Sequence, residues 1–241
     1  MYKLYQNAFT PWEWQPELKH IAEEEGLICF SSPFDKTSVD FLEAMDVPAY
    51  KIASFEITDI PLIEYVASKM KPVIISTGIA TYEDIEGAIA ACKRVGNDQI
   101  ALLKCTSSYP APVALANLRT IPDMRERFKL PVGLSDHTMS SSVAIASVAL
   151  GARILEKHFI LDRGIGGPDA AFSMNKEEFS EMVRCVREVE MALGKPTYEL
   201  TEKVRNNRKF ARSLFVAQDM YAGDTVTEEN VRSVRPLMSI A

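Results

Sequence analysis

The sequence predicts an α/β fold: a parallel sheet closed as a (β/α)8 TIM-type barrel that lacks about its first two βα units. Three observations lead there. Six short runs rich in apolar and β-branched residues recur along the first two-thirds of the chain, at 28–34 (ICFSSPF), 49–54 (AYKIAS), 72–77 (PVIIST), 100–105 (IALLKC), 131–136 (PVGLSD) and 152–159 (ARILEKHF). They are near-continuous rather than alternating, which suits strands covered on both faces. Segments with helical spacing separate them, and such alternation makes a parallel sheet. Third, chemically capable residues finish or follow every run: Ser31 and Ser32, Ser54 with Glu56, Ser76 to Gly78, Lys104 to Tyr109, Ser135 to His137, and Glu156 to His158. A barrel gathers all its strand ends on one active face, whereas an open sheet concentrates function at one or two switch points. No Gly-x-Gly-x-x-Gly follows the first run. A full barrel has eight strands, so six runs leave about two βα units missing at the N-terminus.

The flanking segments follow in order. In TPWEWQPELKHIAEEEG, Thr10 reads as an N-cap, Pro11 as the first helical residue and Glu13 as the partner in a capping box. Trp14, Leu18 and Ile21 then share one face, His20 lies on the polar side, and Gly26 is the stop. Near the other end, SMNKEEFSEMVRCVREVEMALG aligns Phe179, Met182, Val183, Val186 and Val189 before Gly194. The basic stretch from Lys203 to Arg212 reads as a linker or exposed turn, and SLFVAQDMYAGDTVT as a hairpin-like β element. The expected division is a partial barrel over 1–195, a linker over 196–209, and the start of a small β domain over 210–241.

Composition narrows the function classes. A net charge of −6 argues against nucleic acid or an anionic membrane as the main partner. No run of about 18 apolar residues offers a membrane span, and the N-terminus lacks a basic start and apolar stretch of signal-peptide type. The four cysteines form no Cys-x-x-Cys pattern, which points to thiols in a reducing cytoplasm.

Taken singly, His137 and His158 each read as a hydrogen-bonded structural histidine. Taken together they end consecutive parallel strands, which lie about 4.8 Å apart, so both imidazoles would enter one face at a spacing suited to a divalent metal such as Mn, Co or Zn. Lys51 and Lys104 sit inside strand runs, where a lysine needs a partner. Read as inward-facing, they would bind an anion, with Ser54, Ser76, Ser107 and Ser135 as short donors. Glu56 and Asp169 could bind sugar hydroxyls or act as acid and base, although Asp169 is equally a turn former. The residues alone indicate a metal beside an oxyanion pocket and do not name a substrate.

The same residues lie in motifs that closely resemble the sialic acid synthase family, phosphoenolpyruvate-dependent nonulosonic acid synthases. The motifs are FSSPFD (30–35), YKIASFEI (50–57), IISTGIA (74–80), LLKCTSSYPAP (102–112), GLSDHT (133–138), EKHFILDR (156–163), GGPDAAFS (166–173) and FARSLFVAQD (210–219). Within the family, LYQNAFTPWEW (4–14) and YKIASFEITD are most similar to the pseudaminic acid synthase branch. The resemblance implies phosphoenolpyruvate and an N-acylated amino sugar as substrates. It makes His137 and His158 ligands of a divalent metal, Mn2+ first, with Co2+ or Mg2+ as substitutes. Lys51, Ser54, Ser76 and Ser135 match positions that hold phosphoenolpyruvate, with Ser32 and Ser107 supporting them. Glu56 matches an acidic residue near the reacting carbons, and Tyr109 and Asp169 match the sugar side. The family also carries a C-terminal antifreeze-like (SAF) domain that lends an arginine across a homodimer, and Arg235 is the match. Two strands that open the family's barrel, bearing a glutamate, a lysine and a glutamine, have no counterpart here. Two readings follow: a synthase completed by further segments or a partner, and a non-catalytic remnant that binds metal or ligand.

Overall fold

The computed structural model describes residues 9–235; residues 4–8 of the LYQNAFTPWEW motif and the PLMSIA tail lie outside them. Chain contacts define two compact units, one ending at Gly194 and one beginning at Lys195. In the first unit the elements run α1 (Gln15–Glu24), α2 (Lys36–Ala44), β1 (Tyr50–Ile52), α3 (Ile60–Ala67), β2 (Val73–Ser76), α4 (Tyr82–Arg94), β3 (Ile100–Cys105), α5 (Thr120–Phe128), β4 (Val132–Asp136), α6 (Ser141–Ala149), β5 (Leu155–Lys157) and α7 (Lys176–Leu193). The five strands pair in sequence order, all parallel. Of the six runs, 28–34 contributes only a bridge between Ser31 and Tyr50.

Local chemistry sets the helix starts. Asp35, Thr81 and Asn175 each close a capping box at the heads of α2, α4 and α7, satisfying backbone N–H groups that have no partner inside the helix. Thr10 does not cap α1. A 3-10 turn occupies Trp12–Trp14 and the α-helix starts at Gln15, with Pro16 in its first turn. A helix begun at Pro11 would have put Pro16 where an N–H is needed and where its ring meets the carbonyl four residues back; beginning at Gln15 avoids both.

Strand parity separates two faces. Tyr50, Ile52, Val73, Ile75, Ile100, Leu102, Val132 and Leu134 join residues of α2 to α5, such as Val39, Ile63, Ala88 and Ile121, in one buried cluster between sheet and helices. The intervening residues face the other way. On that side Lys51 Nζ of β1 lies 3.3 Å from Glu156 Oε2 of β5, although a flat sheet would hold these strands about 19 Å apart. The sheet is therefore curled, with one face concave. Gly133 on β4 serves the close packing of its neighbours: a Cβ there would sit 2.4 Å from the Ile154 carbonyl oxygen and 2.7 Å from Leu103 Cδ2.

In the second unit, part of the expected linker is helical: α8 (Glu202–Asn207) is capped by Thr201, which accepts from Val204 N–H. The threonine and the helix-tolerant residues after it outweigh the basic charge that suggested an exposed turn. β6 (Ser213–Val216) pairs antiparallel with β7 (Val231–Val234), so the second strand lies beyond the 213–227 stretch expected to hold a hairpin, of which only the first strand forms.

Candidate active site

The candidate site lies at the C-terminal ends of β1 to β5, on the concave face. Lys51 is buried beside Glu156, and Glu156 Oε1 accepts a hydrogen bond from Ser135 Oγ at 2.6 Å. Ser54, in the turn after β1, accepts from the Gly78 N–H at 3.2 Å. A Cβ on Gly78 would stand 2.1 Å from Ser107 Oγ, 2.9 Å from Ser54 Oγ and 3.0 Å from Cys105 Sγ. The bare glycine is what lets these three groups converge. Ser76 Oγ is buried with no hydrogen-bond partner among the described residues. A hydroxyl in that state costs free energy unless an acceptor arrives.

The histidines occupy one register. Asp136 and Lys157 are cross-strand partners on the last rung of β4 and β5, and His137 and His158 each stand one residue further on. Their ring centroids are 5.2 Å apart. His137 Nδ1 lies 3.1 Å from the Thr106 carbonyl, which can only accept, so Nδ1 carries a proton, and in the neutral ring Nε2 is the nitrogen with the lone pair. His158 Nδ1 faces Asp169 Oδ2 at 3.5 Å. Burial lowers the pKa of His158, and the neighbouring His137 lowers it further. Tyr109 packs against both rings and against Phe172. A cavity of 260 Å3 opens between His158, Asp169 and the Gly166-Gly167 turn.

Imidazoles oriented through Nδ1 by a carbonyl and a carboxylate are the usual supports of metal-binding histidines. This donor set fits a divalent ion with two protein ligands. No cluster of three or more His, Cys, Asp or Glu residues with ligand spacing occurs among the described residues, so substrate or water oxygens would fill the other positions.

Glu56 borders the site on the turn after β1, and its Oε2 is buried without a partner among the described residues. Burial raises its pKa, against the smaller pull of Lys51. Ser32 is half-buried in the loop after the Ser31 bridge. Arg235 directly follows β7 in the second unit, where it is exposed.

Two features differ from expectation. Lys104 does not face inward with Lys51: its position on β3 puts it on the helical side, beside Thr77, Tyr82 and Arg127. Both faces of a covered strand are apolar, so the run LLKC carries no parity signal. Glu156, at the centre of the Lys51 and Ser135 contacts, was missed as a site residue. Its signal was the period-2 rule, which puts it on the same face as His158.

A curled parallel α/β sheet that collects a lysine, serine hydroxyls and paired histidines at its strand ends defines a barrel-type enzyme working at that face. The chain belongs to the NeuB family, whose profile matches residues 1–198. It is 46% identical over 236 residues to a pseudaminic acid synthase of Campylobacter jejuni, covering 98% of this chain and 69% of that protein. It is 44% identical over 241 residues to the pseudaminic acid synthase of Helicobacter pylori, covering 100% of this chain and 71% of that one. Among solved structures, the N-acetylneuraminic acid synthetase of Leptospira borgpetersenii superposes with a TM-score of 0.81 at 30% identity, over 86% of this chain and 73% of that one.

Proposed function

We propose that this chain carries the catalytic face of a pseudaminic acid synthase. It would condense phosphoenolpyruvate with 2,4-diacetamido-2,4,6-trideoxy-altrose and water, giving a nine-carbon 2-keto acid and phosphate. The observation that carries the reading is the buried Lys51 and the partnerless Ser76 hydroxyl on the same concave face as the histidine pair. The lysine supplies positive charge and the hydroxyl an unused donor, both suited to an anionic substrate. The choice of sugar rests on likeness: identity is 46% to a pseudaminic acid synthase and 36% to an N,N'-diacetyllegionaminic acid synthase of the same organism.

Lys51, Ser54, Ser76 and Ser135 hold phosphoenolpyruvate, with Ser32 and Ser107 behind them. The methylene carbon of phosphoenolpyruvate bonds to the sugar aldehyde carbon, water oxygen adds to the adjacent carbon, and the bond from that carbon to the phosphate oxygen breaks. Glu56, whose affinity for a proton is raised by burial, takes up the proton of the added water as a carboxylate. Tyr109 and Asp169 border the sugar. His137 and His158 would hold a divalent metal, Mn2+ by preference, whose Lewis acidity would serve the aldehyde. The curled sheet is read as the larger part of a (β/α)8 barrel and the second unit as the start of an antifreeze-like domain. Arg235 and a homodimer belong to that reading, as does a cytoplasmic location. No helix among the described residues is long and apolar enough to cross a membrane.

The test is phosphate release from phosphoenolpyruvate in the presence of Mn2+ and a panel of acylated sugars. The 2,4-diacetamido-altrose sugar should give the highest kcat/KM. Faster turnover of N-acetylmannosamine would replace the sugar assignment, and no release with any sugar would leave the non-catalytic reading.

A further inference from the structure

Lys104 lies next to Cys105 on β3 but faces the helical layer, where it lines a cavity of 330 Å3 between α4 and α5 together with Thr77, Tyr82, Thr120, Asp123 and Arg127. Only 8% of Lys104 is exposed. Its ammonium donates one hydrogen bond, to Thr106 Oγ1 at 2.7 Å. Among the described residues no carboxylate pairs with it. Asp123, on the same cavity wall, is engaged by Arg127 Nε at 2.8 Å. A buried ammonium with donors to spare is costly unless a counter-charge is supplied. Burial accordingly lowers its pKa.

We propose that this cavity is a second anion site, outside the concave face, in which Lys104 and Arg127 hold a small oxyanion, a carboxylate or a phosphate. The Thr77 hydroxyl donates to the Leu103 carbonyl and Asp123 already accepts from Arg127 Nε, so Lys104 supplies the unpaired charge and Arg127 its remaining guanidinium N–H donors. Arg127 reaches the opening from α5, its side chain 55% exposed, and lies over the Tyr82 ring. The site has a route to the histidine pair. Thr106 takes the Lys104 hydrogen bond on its hydroxyl and the His137 contact on its carbonyl. An anion that draws the ammonium away from Thr106 therefore loads the residue that orients His137.

Amide-resolved NMR titration of the whole chain with inorganic phosphate, and separately with acetate, tests this. Phosphate should shift the Thr77, Thr106 and Thr120 amides in the wild type and in Lys51→Met, but not in Lys104→Met. Arg127→Ala, altered at an exposed position, should need about tenfold more phosphate for the same shifts, and keeps the test alive if Lys104→Met does not fold. Saturation at the wild-type concentration in Arg127→Ala, or shifts confined to the surroundings of Lys51, would overturn the proposal. A stronger response to acetate assigns the site to carboxylates, and a stronger response to phosphate to phosphoryl groups. Because Lys51→Met removes the concave-face cation, loss of that site and loss of this one are read separately.

Discussion

Lys51 and Glu156 form an ion pair at 3.3 Å across the concave face, although three strands separate them in the sheet. Glu156 also accepts from Ser135, so one carboxylate holds two of the groups assigned to phosphoenolpyruvate. Hydrogen bonds to charged groups contribute about 1.5–3 kcal/mol. Lys51→Met should therefore raise the KM for phosphoenolpyruvate roughly 10- to 100-fold while the fold persists. Steady-state phosphate release at varied phosphoenolpyruvate reads this, and an unchanged KM would remove Lys51 from the pocket.

The Asp136–Lys157 pair behaves differently because it is dry. Both side chains are 2% exposed and meet at 2.7 Å, and Asp136 also accepts from the Thr138 N–H. Removing one partner of such a pair costs about 3–5 kcal/mol, whereas an apolar pair of similar volume can be neutral. Asp136→Asn and Lys157→Met should each lower the urea midpoint strongly. The double variant Asp136→Leu, Lys157→Met should recover most of the loss. Equal, additive losses would show that the two charges are not coupled.

Two glycines should fail in opposite ways. At Gly133 the added carbon meets a backbone carbonyl, which cannot rotate away, so Gly133→Ala should destabilise by about 1–3 kcal/mol or more. At Gly78 it meets side-chain ends, which can. Gly78→Ala should leave the midpoint nearly unchanged and raise the KM for phosphoenolpyruvate, because Ser54 and Ser107 are displaced. Adding Ser107→Gly should return part of the affinity; no recovery would separate Gly78 from the pocket.

Glu56 gives a pH signature. Burial raises its folded-state pKa above the ordinary 4.5, so the folded chain holds that proton more tightly than the unfolded chain does. The associated stability is fully present below 4.5 and is lost as pH rises through the raised value. Glu56→Gln should be more stable than the wild type above that window and should flatten this part of the stability profile. Parallel urea midpoints across the acid range measure it, and coincident profiles would contradict the shift.

Five of the six strands, and the pairing of the two histidines, are legible because near-continuous apolar runs end in polar residues at regular intervals; the 28–34 run, broken by Pro33, forms only the Ser31 bridge. Which lysine faces inward is not legible. Tyr-Lys-Ile and Leu-Lys-Cys look alike when both faces of a strand are covered, and only the helices packed outside distinguish them. Glu156 escaped because its importance arises from Lys51, a residue brought to it by curvature. No local pattern encodes that curvature. The start of α1 is ambiguous in the sequence because Pro11 and Pro16 can each open a helix, and only a start at Gln15 keeps Pro16 in the first turn.

The sheet's neighbour-by-neighbour order has a kinetic consequence. Every strand pairing joins consecutive strands, so backbone structure can grow unit by unit with modest loop closure. The Lys51–Glu156 contact forms only once all those units are in place and bent. A refolding chain should thus regain its far-ultraviolet signal before it regains any affinity for ligand, and the lag between the two would time the closing of the curve.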